Sequence, residues 1–301
     1  MWCFARHDNG HCLCETLGPM TVAQEPVDGY TAQVLAMVTR IFADRSHPPR
    51  AMLFYLLRLA AKWRAEMLRV PALRATGGIV ASGPFAGMKF ERGAAEGCFI
   101  PKLLGCYESE LHPYWEGLRR QRSYRTIVDI GAAEGYYAVG LARYFPEALV
   151  VARDTNAGSH AMVRDIAESN GVADRIVTGG HFAPADFNDY ADQRTLVLCD
   201  IEGAEQQLLD PAIAPALRRF DIVVETHDGQ TQGGEAATIL DLLVQRFRDS
   251  HDIAIVRERM RDIEFPPGYQ PRDSIDRLLS VWEYRSTPTP WLVMRARDFP
   301  L

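Results

Sequence analysis

Residues 123–301 predict a doubly wound α/β domain of Rossmann-like type, with a mostly parallel, seven-stranded sheet. Three observations lead there. Short apolar runs alternate with amphipathic stretches along this part of the chain. Most of the runs are apolar at every residue rather than at every second one, as strands buried on both faces are. Small-residue and acidic loops follow several of the runs, at the end of a parallel sheet where ligands bind.

The strands are expected at residues 126–130, 148–152, 175–178, 195–199, 221–224, 253–257 and 291–294. Helices are expected at 137–144, 160–169, 206–217, 235–249 and 274–284. Ile239, Leu243 and Phe247 share one helical face, as do Ile275, Leu278, Leu279 and Trp282. Asn170-Gly171 closes the second of these helices.

Upstream, residues 31–122 read as an extension of helices and a hairpin. Leu35, Val38 and Phe42 fall on one helical face, Pro48-Pro49 breaks the run, and Leu56, Ala60, Trp63 and Met67 resume it. These two helices are expected to pack on the main domain, with a substrate lid as the alternative. Gly77 to Glu91 alternates apolar and polar residues about Gly-Pro-Phe-Ala-Gly, which predicts a β-hairpin bordering the mouth of the site. Residues 1–30 have no periodicity and read as a loose leader. Their Cys3, His7, His11, Cys12 and Cys14 lack a second pair at zinc-ligand spacing.

Composition narrows the function classes. The chain of 301 residues is 47% hydrophobic and 24% charged, which fits a soluble globular protein. A formal net charge of -6 disfavours general nucleic-acid binding. Arg119, Arg120, Arg122 and Arg125 read as a solvated helix end rather than an RNA contact. The most apolar stretch, 51–61, is too short to span a bilayer and contains Arg58. No secretory signal is visible, and six cysteines do not form a disulfide framework, so the expected location is the cytoplasm.

The first strand runs into Val128-Asp129-Ile130-Gly131-Ala132-Ala133-Glu134-Gly135 and then a helix. Gly131 and Gly135 permit a tight turn, while Ala132 and Ala133 keep the backbone accessible to a ligand lying over it. A dinucleotide loop reads G-x-G-x-x-G, whereas this one reads G-x-A-x-G with Asp129 and Glu134 where a pyrophosphate tolerates no carboxylate. S-adenosylmethionine carries a sulfonium and an ammonium but no phosphate, so the same carboxylates attract it and repel NAD. Nineteen residues beyond Gly135, Asp154 ends the second strand, where it can accept both ribose hydroxyls. Gly180 and His181, after the third strand, are placed to flank an adenine.

The fourth strand ends in Asp200-Ile201-Glu202-Gly203-Ala204-Glu205 and the fifth in Glu225-Thr226-His227-Asp228. With the first loop, these residues resemble the FkbM-type family of S-adenosylmethionine-dependent methyltransferases over about 126–228. The resemblance implies the class I methyltransferase fold, with a seventh strand inserted antiparallel near the sheet edge. It also implies methylation of a hydroxyl on a small molecule, a sugar or a natural product.

On chemistry alone, Asp200 is expected to face the methyl group, and His227, able to titrate near neutrality, to act as general base. A histidine merely satisfied by a neighbouring carboxylate is the alternative. Glu202 and Glu205 are equally well explained as helix-dipole partners. A magnesium-assisted variant would use Asp200, Glu225 and Asp228, but a metal-free reaction is preferred because these carboxylates already have other uses. An NAD-linked oxidoreductase and a noncatalytic cofactor- or partner-binding fold are the rival classes.

Overall fold

The computed structural model describes residues 28–44, 46–91, 98–227, 238–259, 261–287 and 289–300. Most of the expected leader, with its Cys and His residues, lies outside them, as does Asp228. The chain divides into two compact units, Met1–Trp63 and Arg64–Leu301.

In the first unit, α1 (Gly29–Ala43) starts at Asp28, whose side chain accepts from the Thr31 amide. The helix α2 (Pro49–Thr76), which belongs to this unit as far as Trp63, starts on Pro49, a residue the first turn tolerates. Trp63 Nε1 donates to Thr31 Oγ1 at 2.9 Å. Of the expected face only Val38 is half-buried, whereas Leu35 and Phe42 are 53% and 61% exposed, and the buried residue is the neighbouring Val34.

The second unit is built on one seven-stranded sheet: β1 (Thr126–Ile130), β2 (Leu149–Arg153), β3 (Ile176–Gly179), β4 (Thr195–Cys199), β5 (Asp221–Glu225), β6 (His251–Val256) and β7 (Trp291–Ala296). Their order is β3-β2-β1-β4-β5-β7-β6. The first five strands are mutually parallel, and β7 runs antiparallel to both neighbours. Two reversals cancel, so β6 points the same way as β5.

Alternation along the strands divides their side chains between two cores. Ile127, Leu196, Leu198, Val223 and Val293 join one. Val128, Ile130, Val197, Cys199, Val224 and Leu292 join the other. Both faces are therefore dry, and this is why the sequence shows continuous apolar runs.

Helices α5 (Tyr136–Tyr144), α6 (Ala157–Ser169), α8 (Ile239–Phe247) and α9 (Ser274–Ser280) lie near their expected places. One expected helix fails. Over 206–217 only α7 (Glu205–Leu208) and a 3-10 turn at Pro215–Arg219 form, because Pro211 and Pro215 remove amide donors in mid-run. β5 and β7 run past their expected ends to Glu225 and Ala296, while β6 starts earlier than expected, at His251, and ends at Val256.

The expected extension 31–122 does not stand apart as one piece, because from Arg64 onward it belongs to the unit of the sheet. Helices α3 (Phe99–Leu104) and α4 (His112–Gln121) share a core with α5 through Phe90, Phe99, Trp115 and Tyr136. The segment Gly77 to Glu91 makes one bridge, Ile79 with Lys89, rather than a strand ladder. Gly77, Gly78, Gly83 and Gly87 all take positive φ, which interrupts pleated pairing. Its tip is committed to the core: buried Phe85 meets Tyr136 and Tyr137 edge-on, against Gly140, where an added Cβ would lie 2.7 Å from the ring.

Candidate active site

The register of the sheet assembles the site. Gly179, Arg153, Ile130, Cys199, Val224, Leu292 and Ile255 form one row across all seven strands. One residue further along the parallel strands stand Gly180, Asp154, Gly131, Asp200 and Glu225. Residues far apart in sequence thus line one edge because parallel strands in register end together.

The loop after β1 passes against the loop after β4. Gly131 has φ +87°, and a Cβ there would lie 1.7 Å from the Asp200 carbonyl oxygen, so only glycine fits. Gly135, at φ +96°, begins α5, and a Cβ added to it would stand only 3.0 Å from Val163. Ala133 takes φ 45° and donates its amide to Asp154 Oδ2 at 2.8 Å. The other Asp154 oxygen accepts from the Asn156 amide at 2.7 Å. Asp154 therefore ties the first two loops together, and each oxygen keeps a further lone pair. Ala132 is buried, Gly180 has open space where a side chain would stand, and His181 is exposed beside buried Phe182.

The two acids of this loop are not equivalent. Glu134 is fully buried and takes a hydrogen bond from Lys102 Nζ in α3. Burial works against the Lys102 charge, yet Glu134 outweighs it and raises the ammonium's pKa. Most of the negative charge expected from Glu134 is thereby compensated inside the protein. Asp129 is also buried, but its Oδ2 has no hydrogen-bond partner among the described residues. Burial, then Asp154 and Glu134, push its carboxyl up to about 7. A buried acid left in this condition fits a cationic ligand placed over the loop, and it fits a phosphate badly.

At the ends of β4 and β5 one imidazole faces four carboxylates. His227 Nδ1 meets Glu205 Oε1 at 2.7 Å. Its Nε2 lies 3.4 Å from Glu225, 3.6 Å from Asp200 and 3.7 Å from Glu202. Burial alone would lower the His227 pKa, but Glu205, Glu225 and Asp200 raise it to about 10. An imidazolium at neutral pH has no lone pair to receive a proton, so the expected general-base role does not fit this geometry. Burial and Glu225, to which it is hydrogen-bonded, push the Asp200 carboxyl well above the usual carboxylate range, against the pull of His227.

Glu205 is wholly buried, accepts from the Gly203 amide and fixes the imidazole. Glu202 is largely exposed on a residue with φ 54°. Burial opposes the Glu225 charge, but His227, Arg285 and Thr289 bring its carboxyl down to about 2. Arg285 also holds Glu108 at 2.6 Å and Glu283 at 3.1 Å. Ligand atoms of Asp200, Glu202 and His227 come within 4.8 Å of one another, close enough to share an ion. A cation bound there would first have to displace the imidazolium proton.

Three residues of this site carry no sequence signal of their own. Lys102, Glu108 and Arg285 arrive from segments remote from the loops, and only the fold brings them in.

The sheet order, with one antiparallel strand between the fifth and sixth, is that of the class I methyltransferase fold. No family model matches the chain, and no curated protein matches it. Solved structures do match. A putative O-methyltransferase from Klebsiella pneumoniae is 13% identical, with 88% of this chain and 99% of that one covered and a TM-score of 0.41. An O-methyltransferase from Bacillus cereus in complex with SAH is 11% identical, covering 61% and 78%, with a TM-score of 0.40. Precorrin-6y C5,15-methyltransferase from Geobacter metallireducens is 15% identical, covering 61% and 86%, with a TM-score of 0.38. The functional reading therefore stands on the site itself.

Asp129 gives a test of the site that needs no ligand. Its folded pKa lies above the ordinary carboxylate value, so its contribution to stability is complete only at acid pH and is lost as pH rises toward 7. Asp129→Asn removes that loss. The variant should melt about 5 °C above the parent at pH 8 and level with it at pH 4. Melting curves that move in parallel over this range would show that Asp129 is not strained.

Proposed function

We propose that the chain is an S-adenosylmethionine-dependent methyltransferase acting on a hydroxyl oxygen of a small molecule. The observation that carries this reading is the buried Asp129 carboxyl, one oxygen of which has no hydrogen-bond partner among the described residues, at the start of a loop that offers close backbone approach and no phosphate cradle. The resemblance of 126–228 to FkbM-type methyltransferases points the same way.

In this reading Gly131, Ala132, Ala133, Glu134 and Gly135 form the floor of the cofactor site, with Asp129 beneath it. Asp154 accepts the ribose hydroxyls, and Gly180 with His181 borders the adenine. Asp200 reaches the cofactor from the neighbouring loop. Bound there, S-adenosylmethionine supplies a methyl group whose bond to sulfur breaks, with its electron pair going to sulfur, as the acceptor oxygen bonds to carbon. The protein's own part is alignment, exclusion of water and removal of one proton.

Asp200 takes that proton at a carboxylate oxygen. In its ionised form its raised affinity for protons makes it a better base than an ordinary carboxylate, and its side chain is one-third exposed, at 33%. His227 is a positioning residue: held by Glu205, it keeps Asp200 and Glu225 in place and supplies a fixed positive charge. No metal enters this route.

Calorimetry with the two candidate cofactors tests the reading. S-adenosylmethionine should bind and NAD should not, and Asp154→Ala should weaken S-adenosylmethionine by about 2 kcal/mol, roughly 30-fold. Tight NAD binding without S-adenosylmethionine binding would overturn the proposal, and an unchanged constant for folded Asp154→Ala would remove the ribose assignment.

Single-turnover methyl transfer separates the two central side chains. Asp200→Asn should slow the step by about 100-fold or more at saturating cofactor, with chelator making no difference to the parent. His227→Gln should instead alter the pH profile, because it removes the fixed charge that sets the Asp200 carboxyl. A near-parental rate for Asp200→Asn would return the base role to His227, and chelator-sensitive turnover would bring in a metal.

A further inference from the structure

Beyond β6 the chain makes a pocket that the cofactor reading does not use. A cavity of about 410 Å³ is lined by Glu258, Arg259 and Arg261, which follow β6, and by Leu278, Leu279, Val281 and Trp282, at and beyond the end of α9. Its place in the sheet is fixed by register. Val256, the last residue of β6, and Glu225, the last of β5, both pair with Trp291 of β7. Two strand spacings separate them, about 10 Å. The pocket thus opens at the same edge as Asp200 and His227, beginning two residues after that shared row.

A buried ladder joins the two places. Arg261 Nη2 holds Glu283 at 2.7 Å, Glu283 holds Arg285 at 3.1 Å, Arg285 holds Glu225, and Glu225 lies 3.4 Å from His227. The wall of the pocket is therefore the far end of the network that fixes the reacting side chains.

The lining states what the pocket takes. Four of its seven residues are apolar or aromatic, and Trp282 is braced edge-on by Tyr284 at 4.9 Å. Glu258 is turned to Arg261 at 3.7 Å. Among the described residues no carboxylate pairs with Arg259, and the buried Nε of Arg261 has no hydrogen-bond partner. The Arg261 guanidinium is matched by Glu110 at 2.9 Å and Glu283 at 2.7 Å, so the lining combines an apolar body with one uncompensated cation, Arg259, and a neutral sugar would leave both unused.

We propose that this pocket holds the methyl acceptor, and that the acceptor is a flat, largely apolar molecule carrying one anionic group for Arg259. This rests on the methyltransferase reading for the word acceptor, but its binding chemistry is tested without cofactor. The probes are 6-hydroxy-2-naphthoic acid and its neutral amide, titrated by calorimetry into the parent, Arg259→Ala and Leu278→Asp. Both substituted side chains are exposed, so the variants should fold.

The acid should bind the parent more tightly than the amide does. Arg259→Ala should weaken the acid by about tenfold or more and leave the amide nearly unchanged, whereas Leu278→Asp should weaken both. Equal constants for the acid with parent and Arg259→Ala would overturn the proposal, as would undetectable binding of the acid to the parent at about 1 mM. Unchanged binding of both probes to Leu278→Asp would place them elsewhere and overturn it too. Loss of probe binding counts against the pocket alone, because the methyltransferase reading stands or falls on its own cofactor titration.

Discussion

One protonated imidazole among carboxylates holds the reactive edge of this protein together. Glu205 comes from the start of α7, Asp200 and Glu202 from the loop after β4, and Glu225 from the end of β5, and all four turn toward His227. Left to themselves these acids would repel one another in a poorly hydrated place. The shared cation makes the cluster stable, and its own proton is retained in return, up to about pH 10. In the proposed reading His227 is for that reason an organiser rather than the base. Arg285 repeats the arrangement one step further in, joining Glu225 to Glu108 and Glu283.

The same excess of acids defines what can bind. Glu134 is matched by Lys102 and Glu225 by two cations, while Asp129 lies buried beneath the first loop with one oxygen unmatched. A ligand that brings positive charge to this edge relieves that oxygen, and one that brings phosphate adds to the repulsion. Beyond β6 Arg261 is held by Glu110, Glu258 and Glu283, and Arg259 is the lining cation without a carboxylate partner among the described residues. In the proposed reading the acidic loops take the cofactor and Arg259 takes the second molecule, so charge sorts the two ligands before any shape is compared.

Much of this could be read in the sequence because parallel strands announce themselves. The apolar runs around Ile127, Val197 and Val223 locate the sheet, and each loop after such a run is a candidate for the ligand edge. Gly131 and Gly135 were legible for the same reason, a tight turn between strand and helix. Harder to read was what depends on contact across the fold. Nothing local marks Lys102 as the partner of Glu134, and a histidine's ordinary pKa gave no sign that three acids would raise it. The helix expected over 206–217 failed through Pro211 and Pro215, which outweigh its periodicity, and the hairpin at 77–91 through glycines with positive φ. The pocket beyond β6 is invisible in the sequence because its walls come from two segments, one after β6 and one at the end of α9, that only the fold brings together.

The central claim is that His227 is a fixed cation, and the charge state of that one ring tests it most directly. Nitrogen-15 NMR of imidazole-labelled protein, with His227→Gln used to assign the signal, reads both ring nitrogens as pH is raised. The account predicts imidazolium shifts for His227 through pH 8 and deprotonation only near pH 10. A midpoint near the ordinary histidine value of about 6.5 would contradict it and restore His227 as the proton acceptor.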